Sequence, residues 1–469
     1  MSDILLFNPP APGGQGYTRE GRCTQEAGVW GTQWPPLTLA TAAALLRRDG
    51  HRVTLRDYPA TGAGLLSLTD DLRTLRPGFA IWSTGTPTLS SDLDIARVVR
   101  GNSPASVTAV IGTHVTVRPE EALCEPALKI VVRGEPEGII RELCRCAGAL
   151  ADVPGISWRD DDGAIRHNPD APWLDPDTIP APDWDGLDCD AYRLPLKGRR
   201  FLIAAPVRGC PYRCAFCTAP LYYGSRLRRR PVAQVVDEMA GSISRYGIRE
   251  FFIWADTFTA DRRYVQELCR FILAKGLRIS WTCNSRVDTI DEETLRLMKQ
   301  AGLWMISFGL ESGNDAILAA SGKGITAAQS CEAVLMADSL GIRTAGHFMF
   351  GLPGETEETM AQTLTLALSL PLDIAQFYAA TPFPGTALYD DALREGWLNG
   401  AGKGGAFAQN SAVMELPGLP AARVDAFRRE AYRRFYLRPR AAARVLSMTE
   451  PGALAGMAPL LRRFLRWMR

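Results

Sequence analysis

Between residues 201 and 395 the chain repeats one pattern six times, a short apolar stretch followed by an amphipathic one. The apolar stretches predict strands at residues 201–206, 250–255, 278–283, 305–310, 343–350 and 373–379. Four of the returns from helix to strand carry a glycine followed by an apolar residue, at Gly247, Gly276, Gly302 and Gly341. Glycine there tolerates the left-handed conformation that ends a helix. Six consecutive βα units predict a partial barrel, short of the eight units that close one.

Residues 1–150 alternate strands and helices in a separate series. Strands are predicted at residues 4–8, 52–57, 79–84, 107–112 and 128–133, and helices at 37–49, 68–76, 89–101 and 137–146. Five strands with intervening helices predict a doubly wound, Rossmann-like parallel sheet, so the fold class of the chain is α/β. Ligands of such sheets bind at the carboxyl ends of the strands.

Small, proline and hydroxyl residues follow several of these strands. They allow a large ligand to approach the backbone closely. Each occurrence alone is weak, but their coincidence at one edge of a sheet favours a ligand site over ordinary turns. The candidate residues are Pro9, Pro10, Thr84, Gly85, Thr86, Thr88, Gly112, Thr113, His114, Gly134 and Glu135.

Two further segments differ in composition. Residues 151–200 contain seven prolines and a predicted hairpin, 156–159 with 164–167, which together predict a linker with a small ribbon. Residues 396–469 form a predicted helical tail, which holds 12 Arg and Lys against 3 Asp and Glu from position 421 onward. The rest of the chain carries a net charge of −7. That acidity, without a recognised nucleic-acid-binding fold, argues against nucleic acid as a partner.

The basic tail also carries aromatic residues, and it has two interpretations. The favoured one is a helix packed across the open side of the barrel with its arginines in water. The other is peripheral contact with an anionic membrane surface.

A hydrophobic content of 46% excludes disorder as the main state of the chain. Neither a membrane span nor a secretory signal is visible in the sequence, which predicts a cytoplasmic protein.

Three of the eleven cysteines are clustered just after the first predicted barrel strand. Cys210, Cys214 and Cys217 have the spacing C-x3-C-x2-C on one loop, which suits three irons of a [4Fe–4S] cluster. The fourth iron then has no protein ligand and stays open to a small chelating molecule. Zinc would need a fourth ligand, and the four histidines offer no matching spacing. The cluster is favoured over zinc and over three unrelated core cysteines.

This motif, with Phe216 before its last cysteine, resembles that of the radical S-adenosylmethionine (SAM) superfamily. The resemblance implies that the open iron chelates SAM and that the reduced cluster cleaves SAM to a 5′-deoxyadenosyl radical. It also implies a flavodoxin- or ferredoxin-type electron donor. Carried over position by position, it assigns Asp256 to the methionine amino group and Arg286 to the carboxylate. The SAM-binding residues that it implies are Phe216, Asp256, Asn284, Arg286, Glu311 and Gly351.

The upstream sheet, joined to such a barrel, resembles that of cobalamin-binding radical SAM enzymes. The candidate residues at its strand ends are then cobalamin-binding residues. Many cobalamin domains carry Asp-x-His-x-x-Gly, in which the histidine ligates cobalt. Here the nearest string runs from Asp57 to Gly62 and has no histidine. The resemblance therefore implies cobalamin bound without a protein ligand to cobalt, or loss of the cofactor, with His114 as a hydrogen-bonding wall residue.

The resemblance implies a cobalamin-dependent radical SAM methyltransferase that acts on a small-molecule or natural-product substrate. The 5′-deoxyadenosyl radical would abstract hydrogen from an unactivated carbon, which then takes the methyl group from methylcobalamin. One alternative is an oxidative cyclase or ring-rearranging enzyme that acts on a hydrophobic substrate, tetrapyrrole or hopanoid-like, without methyl transfer. Another is a non-catalytic cofactor-binding protein. No catalytic side chain is predicted.

Overall fold

The computed structural model describes residues 2–11, 17–20, 25–26, 32–146, 148–400, 407–453, 456, 461–462 and 464–465. These residues form two compact units. The first contains the described residues up to 26, residues 33–192 and residues 218–225. The second contains residue 32, residues 193–217 and the described residues from 226 onward.

The first unit is built on a sheet of seven strands. Its strands are β1 (Asp3–Asn8), β4 (Arg52–Asp57), β5 (Phe79–Ser83), β6 (Val107–Ile111), β7 (Ile130–Val132), β8 (Ile156–Arg159) and β9 (Ile165–His167), and a separate antiparallel pair is formed by β2 (Tyr17–Thr18) and β3 (Gln25–Glu26). Its helices are α1 (Leu37–Arg48), α2 (Tyr58–Thr61), α3 (Leu65–Leu75), α4 (Leu89–Asn102), α5 (Thr113–Val117), α6 (Pro119–Leu123), α7 (Pro136–Arg145) and α8 (Ala219–Tyr223).

The order of strands in this sheet is β4-β1-β5-β6-β7-β8-β9, and the first five are parallel. All five predicted strands of this region are present, with ends that differ by no more than a few residues. The middle residues of β1, β5, β6 and β7 are buried, as expected for parallel strands covered on both faces, whereas the edge strand β4 is partly exposed. The predicted doubly wound sheet is therefore confirmed.

The hairpin at residues 156–167 corrects the prediction that this segment is part of a linker. Strand β8 pairs antiparallel with β7, and β9 pairs with β8, so the hairpin extends the first sheet. A two-stranded ribbon alone is marginal in water, and the edge of β7 offers it backbone partners and apolar cover.

Further along the chain, the Tyr192 hydroxyl donates to the buried Asp57 carboxyl at 2.9 Å. Burial raises the pKa of Asp57 to about 6.

The second unit contains six consecutive parallel strands, as predicted. They are β10 (Phe201–Ala204), β13 (Glu250–Ile253), β14 (Ser280–Ser285), β15 (Leu303–Glu311), β16 (Arg343–Phe350) and β17 (Ile374–Ala379), and a short antiparallel pair is formed by β11 (Val207–Arg208) and β12 (Arg228–Arg229). Its helices are α9 (Val232–Tyr246), α10 (Arg262–Ala274), α11 (Glu292–Gln300), α12 (Asp315–Ala320), α13 (Ala327–Ser339), α14 (Glu357–Ser369), α15 (Ala387–Arg394), α16 (Ala421–Tyr436) and α17 (Pro439–Met448).

The four glycines predicted to end helices have left-handed backbones, with φ between 63° and 104°. Gly302 also needs the absence of a side chain, because a Cβ there would lie 2.3 Å from the Ile279 carbonyl oxygen. Position 302 therefore needs glycine for two reasons, the left-handed backbone after the helix and the close approach to the residue before β14.

Helix α16 covers the last strand of the six. The Tyr432 hydroxyl accepts from the Phe377 amide at 3.1 Å. The Tyr436 hydroxyl accepts from the Ala375 amide at 3.2 Å and donates to the Ala375 carbonyl at 2.8 Å. An uncovered edge strand presents unpaired backbone groups. The aromatic face of α16 therefore packs on β17, as the favoured interpretation of the tail predicts, but Arg428 is buried, which corrects the expectation that the arginines of this helix lie in water.

The final basic stretch, 460–469, lies outside the described residues except for four positions. Phe464, one of these, makes an edge-on ring contact with Tyr436. Among the helices that the structure describes, none combines the length and hydropathy that a membrane crossing requires.

We predict that Tyr436→Phe weakens this edge selectively. The substitution leaves the Ala375 amide without its partner, at a cost of about 2 kcal/mol. Hydrogen–deuterium exchange of the peptide that covers β17 should accelerate. Arg434→Gln, an exposed position on the same helix, is the matched control, and its effect should stay within about 0.5 kcal/mol. Equal protection in the wild type and the tyrosine variant would contradict the role of the hydroxyl.

Candidate functional site

The cysteine loop, residues 209–217, follows β11. Its three cysteines are free thiols. The Ala215 amide donates to the Ser321 carbonyl, and its own carbonyl accepts from the Leu388 amide, both at 2.9 Å. Gly322 lies so close that a Cβ there would be 2.7 Å from the Arg213 carbonyl oxygen. The turn between α12 and α13 and the start of α15 therefore hold the middle of the loop in place.

Arg286, the residue after β14, connects this loop to two other segments. Its Nε and Nη2 donate to the two carboxylate oxygens of Asp288 at 2.9 and 2.8 Å. Nη2 also donates to the Lys323 carbonyl at 2.7 Å, and Nη1 lies 3.9 Å from the Cys214 sulfur. The guanidinium carbon lies 3.7 Å from the ring centroid of Tyr212. These contacts occupy the N–H donors of the guanidinium that the family resemblance assigns to the SAM carboxylate.

Glu311, the last residue of β15, has a left-handed backbone with φ +62°, which costs a non-glycine residue about 1 kcal/mol or more. Its carboxylate accepts from the Lys323 ammonium at 2.7 Å, and both side chains are buried. Gly309 makes room for this ion pair, because a Cβ there would lie 2.5 Å from the Glu311 carboxylate oxygen. A strained residue held by a buried pair at a strand end is typical of functional sites.

The other predicted SAM residues also lie at or after carboxyl ends of these strands. Asp256 follows β13 and is half-buried, and the neighbouring Thr257 hydroxyl lies 2.9 Å from the Cys210 sulfur. The Asn284 side chain makes no hydrogen bond within the part of the chain that the structure describes. Gly351 has φ +84°, and its amide donates to the buried Glu355 carboxylate. Phe216 is half-buried between the second and third cysteines.

Sequence reasoning missed Lys323, which joins Arg286 through its carbonyl and Glu311 through its ammonium. It sits between Gly322 and Gly324 in a turn, where a lysine is ordinarily solvated. Tyr212, Asp288 and Thr257 were also missed. The only available signal for these was their position next to residues already singled out.

In the first unit, the predicted ligand residues follow β1, β5, β6 and β7, which are adjacent strands. The order β4-β1-β5 places the reversal of chain order between β1 and β5, where open α/β sheets bind ligands. A Cβ on Gly112 would lie 2.2 Å from the Thr84 carbonyl oxygen, so the turns after β5 and β6 touch through bare backbone. Gly134, after β7, has open space around the corresponding position.

Several of these residues have protein partners, among them His114 and Glu135. His114 is buried, and its ring nitrogens lie 3.3 Å from the Thr86 hydroxyl and 3.0 Å from the Glu121 carboxylate. Burial lowers the pKa of His114, which favours the neutral ring. The Glu135 carboxylate accepts from the Leu174 amide at 2.9 Å. These contacts suit His114 as a hydrogen-bonding residue that lines the predicted ligand site. They suit Glu135 as a residue that holds the backbone of Leu174 in place.

An ion pair that the sequence did not predict joins the segments after β1 and β5. Arg19 donates from Nε and Nη2 to the Asp92 carboxylate at 2.9 and 2.7 Å, and both side chains are at most 1% exposed. Arg19 also donates to the Pro9 carbonyl at 3.2 Å, and the Thr88 hydroxyl donates to Asp92. Two predicted ligand-binding segments, at Pro9 and Thr88, thus share one buried pair.

Comparison with known proteins identifies the domain that each half of the chain contains. Residues 205–367 match the radical SAM superfamily, and residues 27–144 match the B12 binding domain. An uncharacterized methyltransferase of Pyrococcus horikoshii is 33% identical over 88% of this chain and 90% of its own length. The chain belongs to the cobalamin-binding radical SAM family.

Two further relatives carry more specific names. Cytidylyl-2-hydroxyethylphosphonate methyltransferase of Streptomyces wedmorensis is 29% identical over 89% of this chain and 86% of the relative. Anaerobic magnesium-protoporphyrin IX monomethyl ester cyclase of Cereibacter sphaeroides is 28% identical over 76% of this chain and 60% of the relative. Among solved structures, the radical SAM methyltransferase TsrM from Kitasatospora setae, with tryptophan and a SAM analogue bound, matches with a TM-score of 0.68. That match has 20% identity and covers 84% of this chain and 76% of TsrM, and it confirms the fold.

The two domains of the family imply a [4Fe–4S] cluster, SAM and cobalamin. Among the described residues no three side chains are grouped as the ligands of a single metal ion. A cluster needs no such group, since each cysteine binds a different iron. Burial raises the pKa of the Cys214 thiol, and the cations of Lys323 and Arg286 oppose this by favouring the thiolate. Three free thiols on one loop beside two cations fit an anionic cluster.

We predict that Gly112→Ala and Gly134→Ala affect cobalamin binding differently. Their comparison distinguishes the effect of close packing in the first unit from the effect of backbone strain. Both positions have positive φ, so alanine costs about 1–3 kcal/mol of strain at each. Only at Gly112 does the new methyl group meet a carbonyl oxygen, which forces the turns after β5 and β6 apart. Cobalamin affinity should therefore fall by about tenfold or more in Gly112→Ala and much less in Gly134→Ala. Equal affinities would show that the contact is unimportant.

Proposed function

We propose that this protein transfers a methyl group, delivered by cobalamin, to an unactivated carbon of a small-molecule substrate. The observation that carries the proposal is the presence of both domains in one chain, which aligns with methyltransferase relatives over most of its length. The named substrates of two similar proteins, a cytidylyl phosphonate and tryptophan, are small molecules. They support a substrate of that class here.

The proposal divides the work between the segments predicted from the sequence. Residues 1–150 bind cobalamin through the loops after β1, β5, β6 and β7. Residues 201–395 bind the cluster through Cys210, Cys214 and Cys217. When bound, the cluster supplies the electron that cleaves SAM, and cobalamin supplies the methyl carrier.

Several side chains in the second unit are suited to SAM. Asp256 offers a half-buried carboxylate to an amino group, and the Asn284 amide offers both a donor and an acceptor. The carboxylate of Glu311, the residue with the strained backbone, lies at the same edge of the sheet. The turn at Gly351 is suited to a flat ring because glycine has no side chain. The proposal also includes a flavodoxin- or ferredoxin-type electron donor, because the cluster must be reduced before each cleavage of SAM. The proposed location is the cytoplasm, which is a reducing compartment.

The decisive experiment is an anaerobic incubation of the reconstituted protein with hydroxocobalamin, methyl-deuterated SAM and a strong reductant. Mass spectrometry should detect 5′-deoxyadenosine together with deuteromethylated cobalamin. Deoxyadenosine without methylated cobalamin would contradict the proposal and favour the cyclase or ring-rearranging alternative. Neither product, with both cofactors bound, would favour a non-catalytic protein.

We predict that Cys214→Ala prevents cluster assembly and leaves cobalamin binding intact, because the two cofactors use different loops. Iron and sulfide analysis and cobalamin absorbance are the measurements. Cys331→Ala, in α13, is the matched control and should assemble the cluster normally. Loss of cobalamin together with iron in a folded Cys214→Ala protein would show that the two sites are not separable.

A further inference from the structure

We propose that Arg286 is a positioning residue for the cysteine loop, which it holds through Tyr212 and Cys214, and that it does not bind the SAM carboxylate. The inference rests on the cluster of the proposed function but not on methyl transfer. It reassigns a residue to which the family resemblance gives a different role.

The hydrogen-bonding capacity of Arg286 supports this role. A guanidinium has five N–H donors, and a bidentate grip on a carboxylate uses two parallel donors along one edge. The edge formed by Nε and Nη2 is occupied by Asp288. The edge formed by Nη1 and Nη2 is directed to the Cys214 sulfur and the Lys323 carbonyl. Neither edge is left for a ligand carboxylate, and the side chain is only 8% exposed.

The backbone of Arg286 is fixed as firmly as its side chain. Its carbonyl accepts from the Ser285 hydroxyl at 2.9 Å and from the Thr289 hydroxyl at 3.1 Å. The Thr259 hydroxyl lies 2.6 Å from both of these hydroxyls, and all three residues are buried. A shift of the Arg286 backbone toward a ligand would break this network, so the point from which the side chain extends is fixed.

The position of the guanidinium defines what it can do. It lies against the Tyr212 ring on one face and points one N–H toward Cys214, so it restrains the loop at two of its residues. Hydrogen bonds to cluster sulfurs and nearby positive charge raise the reduction potential of an iron–sulfur cluster, because they stabilise the more negative reduced state. Arg286 therefore shapes the loop and makes the cluster easier to reduce.

The test compares full-length Arg286→Gln, Arg286→Lys and a control, Arg296→Gln, whose arginine is exposed and pairs with Glu292. Each protein is reconstituted anaerobically without SAM. Iron and sulfide per chain are measured, and the midpoint potential is obtained by a redox titration followed by EPR. Arg286→Gln should lose about tenfold in iron affinity, and its remaining clusters should have a more negative potential. Arg286→Lys should keep more of the potential than of the affinity, and Arg296→Gln should match the wild type.

Equilibrium binding of SAM to the cluster-loaded fraction separates the two roles. Under the proposal, SAM affinity per cluster is nearly unchanged in Arg286→Gln. Wild-type iron content and potential combined with a loss of SAM affinity of about tenfold or more would overturn the proposal and restore Arg286 as a carboxylate ligand. These readouts do not depend on a methyl acceptor, so a failure of the proposed function leaves them interpretable.

A second variant covers the case in which Arg286→Gln does not fold. Tyr212→Leu removes the ring against which the guanidinium stacks and leaves the Asp288 fork in place. It should lower iron occupancy and leave SAM affinity per cluster unchanged. Iron occupancy equal to that of the wild type in Tyr212→Leu would overturn the claim that Arg286 holds the loop through this ring.

Discussion

In both units, parallel pairing of neighbouring strands carries loops from distant parts of the chain to one edge of a sheet. The second unit pairs six strands in chain order, so the residues at their carboxyl ends become neighbours although they are far apart in sequence. The first unit does the same with β1, β5, β6 and β7. The cost of an open sheet is its exposed edges. Helix α16 covers β17 through two tyrosine hydroxyls, and the hairpin of β8 and β9 extends the sheet beyond β7.

The loops gathered at these edges are held by ion pairs in which at least one partner is buried. The three pairs are Arg19 with Asp92, Arg286 with Asp288, and Glu311 with Lys323. An unpaired charge at such a position costs several kcal/mol, whereas well-packed apolar residues are often as stable as a buried pair. Stability alone therefore does not account for them. What the pairs provide is position, since each one ends in a segment that carries a predicted ligand residue.

The sequence predicted the strands of both sheets, the left-handed glycines and the three cysteines. Periodicity, helix-ending glycine and the C-x3-C-x2-C spacing are local patterns, which a chain retains wherever it is placed. The hairpin at residues 156–167 was recognised as a hairpin but assigned to a linker, because its partner, β7, is a separate stretch of chain. The partner of a strand is a tertiary property.

The charged residues at the site show the same limit. The family resemblance assigns Arg286 to the SAM carboxylate through the Asn-x-Arg pattern that Asn284 and Arg286 form. In the fold its donors face Asp288, Lys323 and Cys214. Lys323 itself was invisible as a site residue, since a lysine between two glycines is ordinarily solvated. The sequence alone determined the order of the elements and the spacing of the three cysteines, because both depend on neighbours a few residues away. Only the tertiary structure decided which charges remain available to a ligand, because their partners lie on other segments, 73 residues away for Arg19 and 37 for the Lys323 carbonyl that Arg286 contacts.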